Sequence, residues 1–132
     1  MLLVRTYLAP SPIEGIGCFA RHFIAAGTPL WRFVPCFDQL LPASFAAEMC
    51  DPEYLDKYAQ RCPLTGYYVL CADDARFCNH SDAPNMGACA PLFDPAHTHD
   101  ALRDIEAGTE ITCDYRIGDV QPFYGFRERV AA

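Results

Sequence analysis

The run Arg76-Phe77-Cys78-Asn79-His80-Ser81-Asp82-Ala83-Pro84-Asn85 carries the densest chemistry in the chain. Within it an amide, an imidazole, a hydroxyl and a carboxylate follow one another directly. Asn79 offers donors and acceptors, and neutral His80 offers one of each. The run lacks the apolar-polar alternation of a core strand. Pro84 removes a backbone donor and biases Ala83 away from the helical region. The expected structure is a polar knot closed by a Pro-Asn turn. Polar groups this dense in an apolar context bind a ligand or brace a crossing of chains.

Two further stretches flank it. Asp104-Ile105-Glu106-Ala107-Gly108-Thr109-Glu110-Ile111-Thr112-Cys113-Asp114-Tyr115 reads as a Gly-Thr turn feeding a short strand that ends in Asp-Tyr. Near the start, Glu14-Gly15-Ile16-Gly17-Cys18-Phe19-Ala20 precedes Ile24-Ala25-Ala26-Gly27-Thr28-Pro29-Leu30. Gly15 and Gly17 permit a close backbone approach to a ligand, and Ala25–Thr28 repeats the turn chemistry of 106–109.

Taken in this order, the three stretches resemble the SET-domain protein lysine methyltransferases, in the compact stand-alone form. That family's pattern is a Gly-x-Gly-x-Phe-Ala entry, an Arg-Phe-x-Asn-His-Ser-x-x-Pro-Asn centre and a Gly-x-Glu-Ile-Thr-x-Asp-Tyr close. The centre is the specific part, matched at Arg76, Phe77, Asn79, His80, Ser81, Pro84 and Asn85. The resemblance runs from about residue 13 to 115 and is weakest between 36 and 66. It implies a mainly β, β-clip-like SET fold of short strands in small sheets. A C-terminal segment would be threaded through a loop, and a short helical insert would fall at about 42–62. The whole chain, 1–132, would form one such domain, with 116–132 as its closing segment.

The resemblance also implies methyl transfer from S-adenosyl-L-methionine to a lysine amine. Such a displacement needs donor and acceptor held in line, which can remove about 7–11 kcal/mol of barrier. The amine must also lose its proton, although free lysine has a pKa of about 10.4. An apolar aromatic channel helps, because desolvation disfavours the ammonium. Carried over by position, the backbone of Gly15, Ile16 and Gly17 would approach the cofactor. Asn79 and His80 would contact it from the other side. Tyr115 would aim its hydroxyl at the methyl group and the lysine nitrogen. Tyr67 or Tyr68 would line the lysine channel or contact the cofactor.

The chain departs from the family pattern in three places. Asp82 stands where Cys often follows Asn-His-Ser. Cys113 stands two before the closing Tyr, where Tyr or Phe usually tunes the number of methyl groups accepted. No Cys follows Cys113, where many family members carry a Cys-rich zinc segment that completes the lysine channel. Phe123, Tyr124 and Phe126 remain to close it, or a second subunit of a homodimer could do so. The competing functional reading is a non-catalytic SET-fold module that grips a basic peptide. Retention of Asn79, His80 and Tyr115 together favours the enzyme.

Composition narrows the partners. A net charge of −7 lacks the basic footprint of direct nucleic-acid binding and suits a basic protein substrate, histone-like or otherwise. The eight cysteines contain no Cys-x-x-Cys pair, which argues against a zinc site. Residues Met1–Thr6 lack a signal-peptide pattern, and no run is long and apolar enough to span a membrane. A cytoplasmic protein with reduced thiols is expected. Lys57 is the only lysine. It is expected on an acidic helix away from the pocket, and so to escape self-methylation in cis.

The elements that must position these residues are short. At 132 residues with eleven prolines and eight glycines, one β-rich domain is expected. Strands are expected at Leu2–Leu8, Cys18–Arg21, Pro29–Val34, Tyr67–Ala72, Ala101–Leu102 and Glu110–Cys113. Pro42–Arg61 reads as helical, with Ser44 capping one segment. Asp51-Pro52-Glu53 supplies an N-cap, an N1 proline and a first-turn acid. Residues 123–129 read as a short helix or packed tail.

Overall fold

The chain is described by a computed structural model over residues 1–62, 65–87 and 93–116. In chain order its strands are β1 (Thr6–Pro10), β2 (Ile16–Ala20), β3 (Pro29–Trp31), β4 (Gln39–Leu41), β5 (Gln60–Arg61), β6 (Tyr68–Leu70), β7 (Asn79–His80), β8 (His99–Asp100) and β9 (Thr112–Cys113). The one α-helix among the described residues is α1 (Glu53–Tyr58), and single 3₁₀ segments cover Ala43–Glu48 and Asp74–Phe77.

β1 and β2 form an antiparallel hairpin in which Tyr7 faces Phe19, their rings stacked at 5.6 Å. Its loop closes with a 2.8 Å bond from Ser11 N–H to the Gly15 carbonyl. Gly15 has φ +49°, a left-handed conformation that glycine adopts without cost. β3 pairs antiparallel with β8, and β4, β6 and β5 make a three-stranded antiparallel sheet with β6 central.

The two Gly-Thr turns are partners. Ile24 and Ile105 exchange both backbone hydrogen bonds at 2.8 Å. Gly27 N–H donates to the Ala101 carbonyl and Gly108 N–H to the Ala20 carbonyl, each at 2.7 Å. Ala101 and Ala20 return bonds to the carbonyls of Thr28 and Thr109, each at 2.9 Å. Segments 20–28 and 101–109 thus form a local two-fold motif. Ile24 and Ile105 are both buried in the core, beside Leu30, Ile111 and Cys18.

Several elements differ from expectation. Leu2 makes only an isolated bridge to Trp31, so β1 begins at Thr6. The expected helical stretch splits into a 3₁₀ segment, α1 and β5. Ser44 caps nothing, since the 3₁₀ segment has Pro42 as its N-cap with no side-chain bond. The N-cap of α1 is Pro52 and not Asp51, although Asp51 Oδ1 accepts Glu53 N–H at 3.1 Å. Strand pairing near 99–101 centres on His99–Asp100, while Ala101 bridges Met86. The short helix or packed tail expected at 123–129 falls outside the described residues. No helix among the described residues is long and apolar enough to cross a membrane.

Candidate active site

The polar knot, expected to be irregular, contains a two-residue strand. β7 pairs in parallel with β9, and Ser81 N–H donates to the Cys113 carbonyl at 3.0 Å. Asn85 holds the same segment from another direction. Its Nδ2 donates to the Glu110 carbonyl at 2.8 Å, and its Oδ1 accepts Thr112 N–H at 2.9 Å. Met86 N–H adds a 3.0 Å bond to the Thr112 carbonyl. Residues 110–113 are therefore clasped between two arms of the 79–86 motif. Asn85 is buried, and its amide supplies the partners that a neighbouring strand would supply. This explains why the crossing needs Asn85 and not an apolar residue.

Asn79 ties that crossing to the β1–β2 loop. Its Nδ2 lies 3.1 Å from the Glu14 carbonyl, 3.4 Å from the Ile16 carbonyl and 3.0 Å from Glu110 Oε2. Glu110 also accepts from Ser11 Oγ, at 2.7 Å and 2.9 Å to its two oxygens. A Cβ on Gly17 would stand 2.8 Å from that carboxyl group. A side chain at Gly17 would have to displace the Glu110 carboxyl from its bonds to Ser11 and Asn79. Gly15 and Ile16 are exposed beside it.

His80 and Tyr115 are mutually positioned. Tyr115 N–H donates to His80 Nδ1 at 3.2 Å, and the rings lie 5.4 Å apart. With Nδ1 accepting, neutral His80 carries its proton on Nε2, which lies 3.1 Å from Asp82 Oδ1. Asp82 and Asp114 are bridged by Arg116, whose Nη2 lies 2.5 Å from Asp82 Oδ1 and whose Nε lies 2.9 Å from Asp114 Oδ1. Burial would raise the Asp114 carboxyl, but the bonds from Arg116 outweigh it and hold it below its ordinary value.

The Tyr115 hydroxyl donates to the Cys78 carbonyl at 2.6 Å. Partial burial raises the phenol well above its ordinary value, and nearby Cys113, Cys78, Glu14 and Glu110 push the same way. A protonated Tyr115 can orient a partner through its oxygen.

Tyr115 also lines a cavity of about 250 Å³. Tyr68, Cys113, Asp56, Lys57 and Arg76 contribute to the same wall. Of the two tyrosines left open by the sequence, Tyr68 faces the cavity and is buried, its hydroxyl donating to Asp56 Oδ1 at 2.8 Å. Tyr67 is 41% exposed and does not line it. Cys113 is buried, and desolvation pushes its thiol to about 12, so it is a neutral wall residue. Phe123 and Tyr124 lie outside the described residues. Lys57, expected away from the pocket, is in its wall.

The SET domain family model matches residues 15–116. The chain belongs to the SET-domain family. Over 71 residues this SET chain is 41% identical to the H3 lysine-9 specific histone-lysine N-methyltransferase dim-5 of Neurospora crassa. That match takes in 49% of this chain and 22% of the fungal protein, so it spans about a fifth of that relative's length. The fold also matches a candidate histone methyltransferase of Plasmodium falciparum, with a TM-score of 0.55 and 19% identity. That overlay covers 86% of this chain and 95% of the other. At this identity the likeness concerns the fold alone.

Of the residues singled out from the sequence, Ile16, Asn79, His80, Cys113 and Tyr115 meet at this crossing, and Gly15 and Gly17 lie in the adjoining hairpin. Sequence reasoning gave no role to Glu110, Asn85, Asp56 or Lys57. Glu110 sits just past a Gly-Thr turn, where an acid is normally solvated. The available signal was Gly17, a glycine at the edge of an expected strand, which can mark a close approach.

Proposed function

We propose that this chain is an S-adenosyl-L-methionine-dependent methyltransferase acting on lysine side chains of a basic protein. The observation that carries this is the position of Tyr115. Its ring packs on His80, the chain neighbour of Asn79, and the same residue lines the 250 Å³ cavity beside Cys113 and Tyr68. One residue thus borders both a polar cluster and a mostly apolar cavity, as a transfer between two ligands requires.

The cluster suits the cofactor. S-adenosylmethionine supplies an electrophilic methyl group on a sulfonium and carries a second positive charge on its amino group. The Glu14 and Ile16 carbonyls and the Glu110 carboxylate converge at Asn79, an acceptor-rich edge that favours cations. Exposed Gly15 presents open space where a Cβ would stand. On the cavity side, Asp56 at the wall and a net charge of −7 favour a basic chain. Burying the amine among Tyr68, Val69 and Cys113 favours its neutral form. The Tyr115 hydroxyl, already donating to Cys78, has lone pairs free to accept from the amine.

Radiolabelled methyl from S-adenosylmethionine, offered with a mixture of basic proteins including histones, should appear on lysine. Calorimetry should show saturable one-site cofactor binding, weakened in Asn79→Ala. Binding of a basic peptide with no heat from cofactor and no label would instead support the non-catalytic module.

A further inference from the structure

The chain's single lysine lies in the wall of the candidate active-site cavity, together with Tyr115, Cys113 and Tyr68. Its helix is fixed there by several contacts. Leu55 is fully buried, and Asp56 accepts from the Tyr68 hydroxyl at 2.8 Å. Arg76 Nη1 donates to the Tyr54 hydroxyl at 3.2 Å, and the Tyr58 ring meets Phe77 edge-on at 6.1 Å. The amine lies over the Tyr58 ring, with Nζ 5.3 Å from its centroid.

Beyond the helix, Gln60 Nε2 donates to the Tyr115 carbonyl at 3.5 Å. The Lys57 side chain is exposed, and its four-carbon stem is freely jointed, so the amine can leave the Tyr58 ring for the cavity that it borders. A lysine in a helix's last turn also complements the helix dipole. That preference does not account for its place in this cavity.

We propose that Lys57 is itself a substrate of this site and is methylated within its own molecule. The inference rests on the methyltransferase reading above. In the step, the ammonium first gives its proton to solvent. The Nζ lone pair then forms an N–C bond to the sulfonium methyl as the S–C bond breaks. The electron pair stays on sulfur, leaving a thioether and a methylated ammonium. Holding both reactants on one chain replaces a bimolecular encounter. The resident amine also competes with an incoming lysine for the cavity.

Because the chain has one lysine, selective isotope labelling of lysine gives one side-chain signal. Titrating the demethylated thioether product, S-adenosylhomocysteine, should shift that signal in the intact protein. Incubation with S-adenosylmethionine alone should then add methyl mass that maps to Lys57. The first-order rate should not change with protein concentration, and the added mass should be absent in Lys57→Arg. A stationary lysine signal in a protein that binds the thioether by calorimetry would overturn the proposal. So would unmodified Lys57 in a preparation that labels histones, and either result would leave the methyltransferase reading intact. A rate that rises with protein concentration would overturn transfer within one molecule. No cofactor heat and no label on any protein would instead remove the methyltransferase reading itself.

Discussion

The Tyr115 hydroxyl donates to the Cys78 carbonyl at 2.6 Å, across the point where the closing strand meets the central motif. The donor direction is spent on the backbone. What faces a ligand is therefore the oxygen's acceptor side. Under the function proposed above, that acceptor side would orient an N–H donor or a polarised methyl, and the raised phenol pKa agrees with a protonated hydroxyl there.

Tyr115→Phe keeps the ring against His80 and removes only that oxygen. Turnover on a basic protein should fall by about 10²–10³, the range typical of a single oriented polar group near reacting atoms. Cofactor affinity by calorimetry should change much less, because the interaction is worth most in the transition state. Near-normal turnover would mean that another group orients the methyl and the amine.

Gly17 and Glu110 should be energetically coupled. Gly17→Ala places a methyl 2.8 Å from a carboxyl group already held by Ser11 and Asn79. The expected cost is about 1–3 kcal/mol in urea unfolding. In a Glu110→Ser background the same change should cost much less, since the clashing carboxyl is gone. Additive costs would show that the glycine serves something other than Glu110.

Asn85 supplies two buried backbone groups with partners, the Glu110 carbonyl and Thr112 N–H. Asn85→Leu leaves both without a side-chain partner, at roughly 1–3 kcal/mol each. The closing strand should loosen first, seen as faster amide exchange at Thr112 than in β1 and β2. Uniform acceleration across the whole chain would mean that Asn85 serves global stability and not this crossing.

Much of this arrangement was legible in the sequence, and for identifiable reasons. The Asn79–His80 and Asp114–Tyr115 motifs are specific in residue type, so their meeting could be inferred from resemblance. Gly27 and Gly108 mark left-handed turns because few other residues tolerate φ of +82° and +84°. What escaped was set by tertiary pairing. Asn79–His80 looks irregular, yet it becomes strand because β9 lies alongside. Gln60–Arg61 continues a helical pattern, yet β6 draws it into a sheet. Lys57 looks solvated by composition, and only the docking of α1 through Tyr54, Asp56 and Tyr58 puts it at the cavity.

His99 is buried against Trp31, ring to ring at 4.7 Å, and among the described residues neither His99 Nε2 nor Trp31 Nε1 has a hydrogen-bond partner. Burial pushes the imidazole down to about 4, from an ordinary 6.5. Below pH 6.5 the unfolded chain therefore binds a proton that the folded one refuses. His99's neutral state is compatible with full stability above that pH. Stability is then lost progressively as the pH falls from 6.5 toward 4, by roughly 3 kcal/mol from this group. His99→Leu removes both the titration and an unsatisfied buried nitrogen. It should unfold at equal or higher urea concentration at pH 7, and it should show a shallower loss between pH 6.5 and 4 than the parent. Carboxylates that titrate in the same range are common to both proteins, so the difference between the two curves isolates His99. Parallel curves would show that this imidazole is protonated in the folded state, and hence has a polar partner or solvent at Nε2.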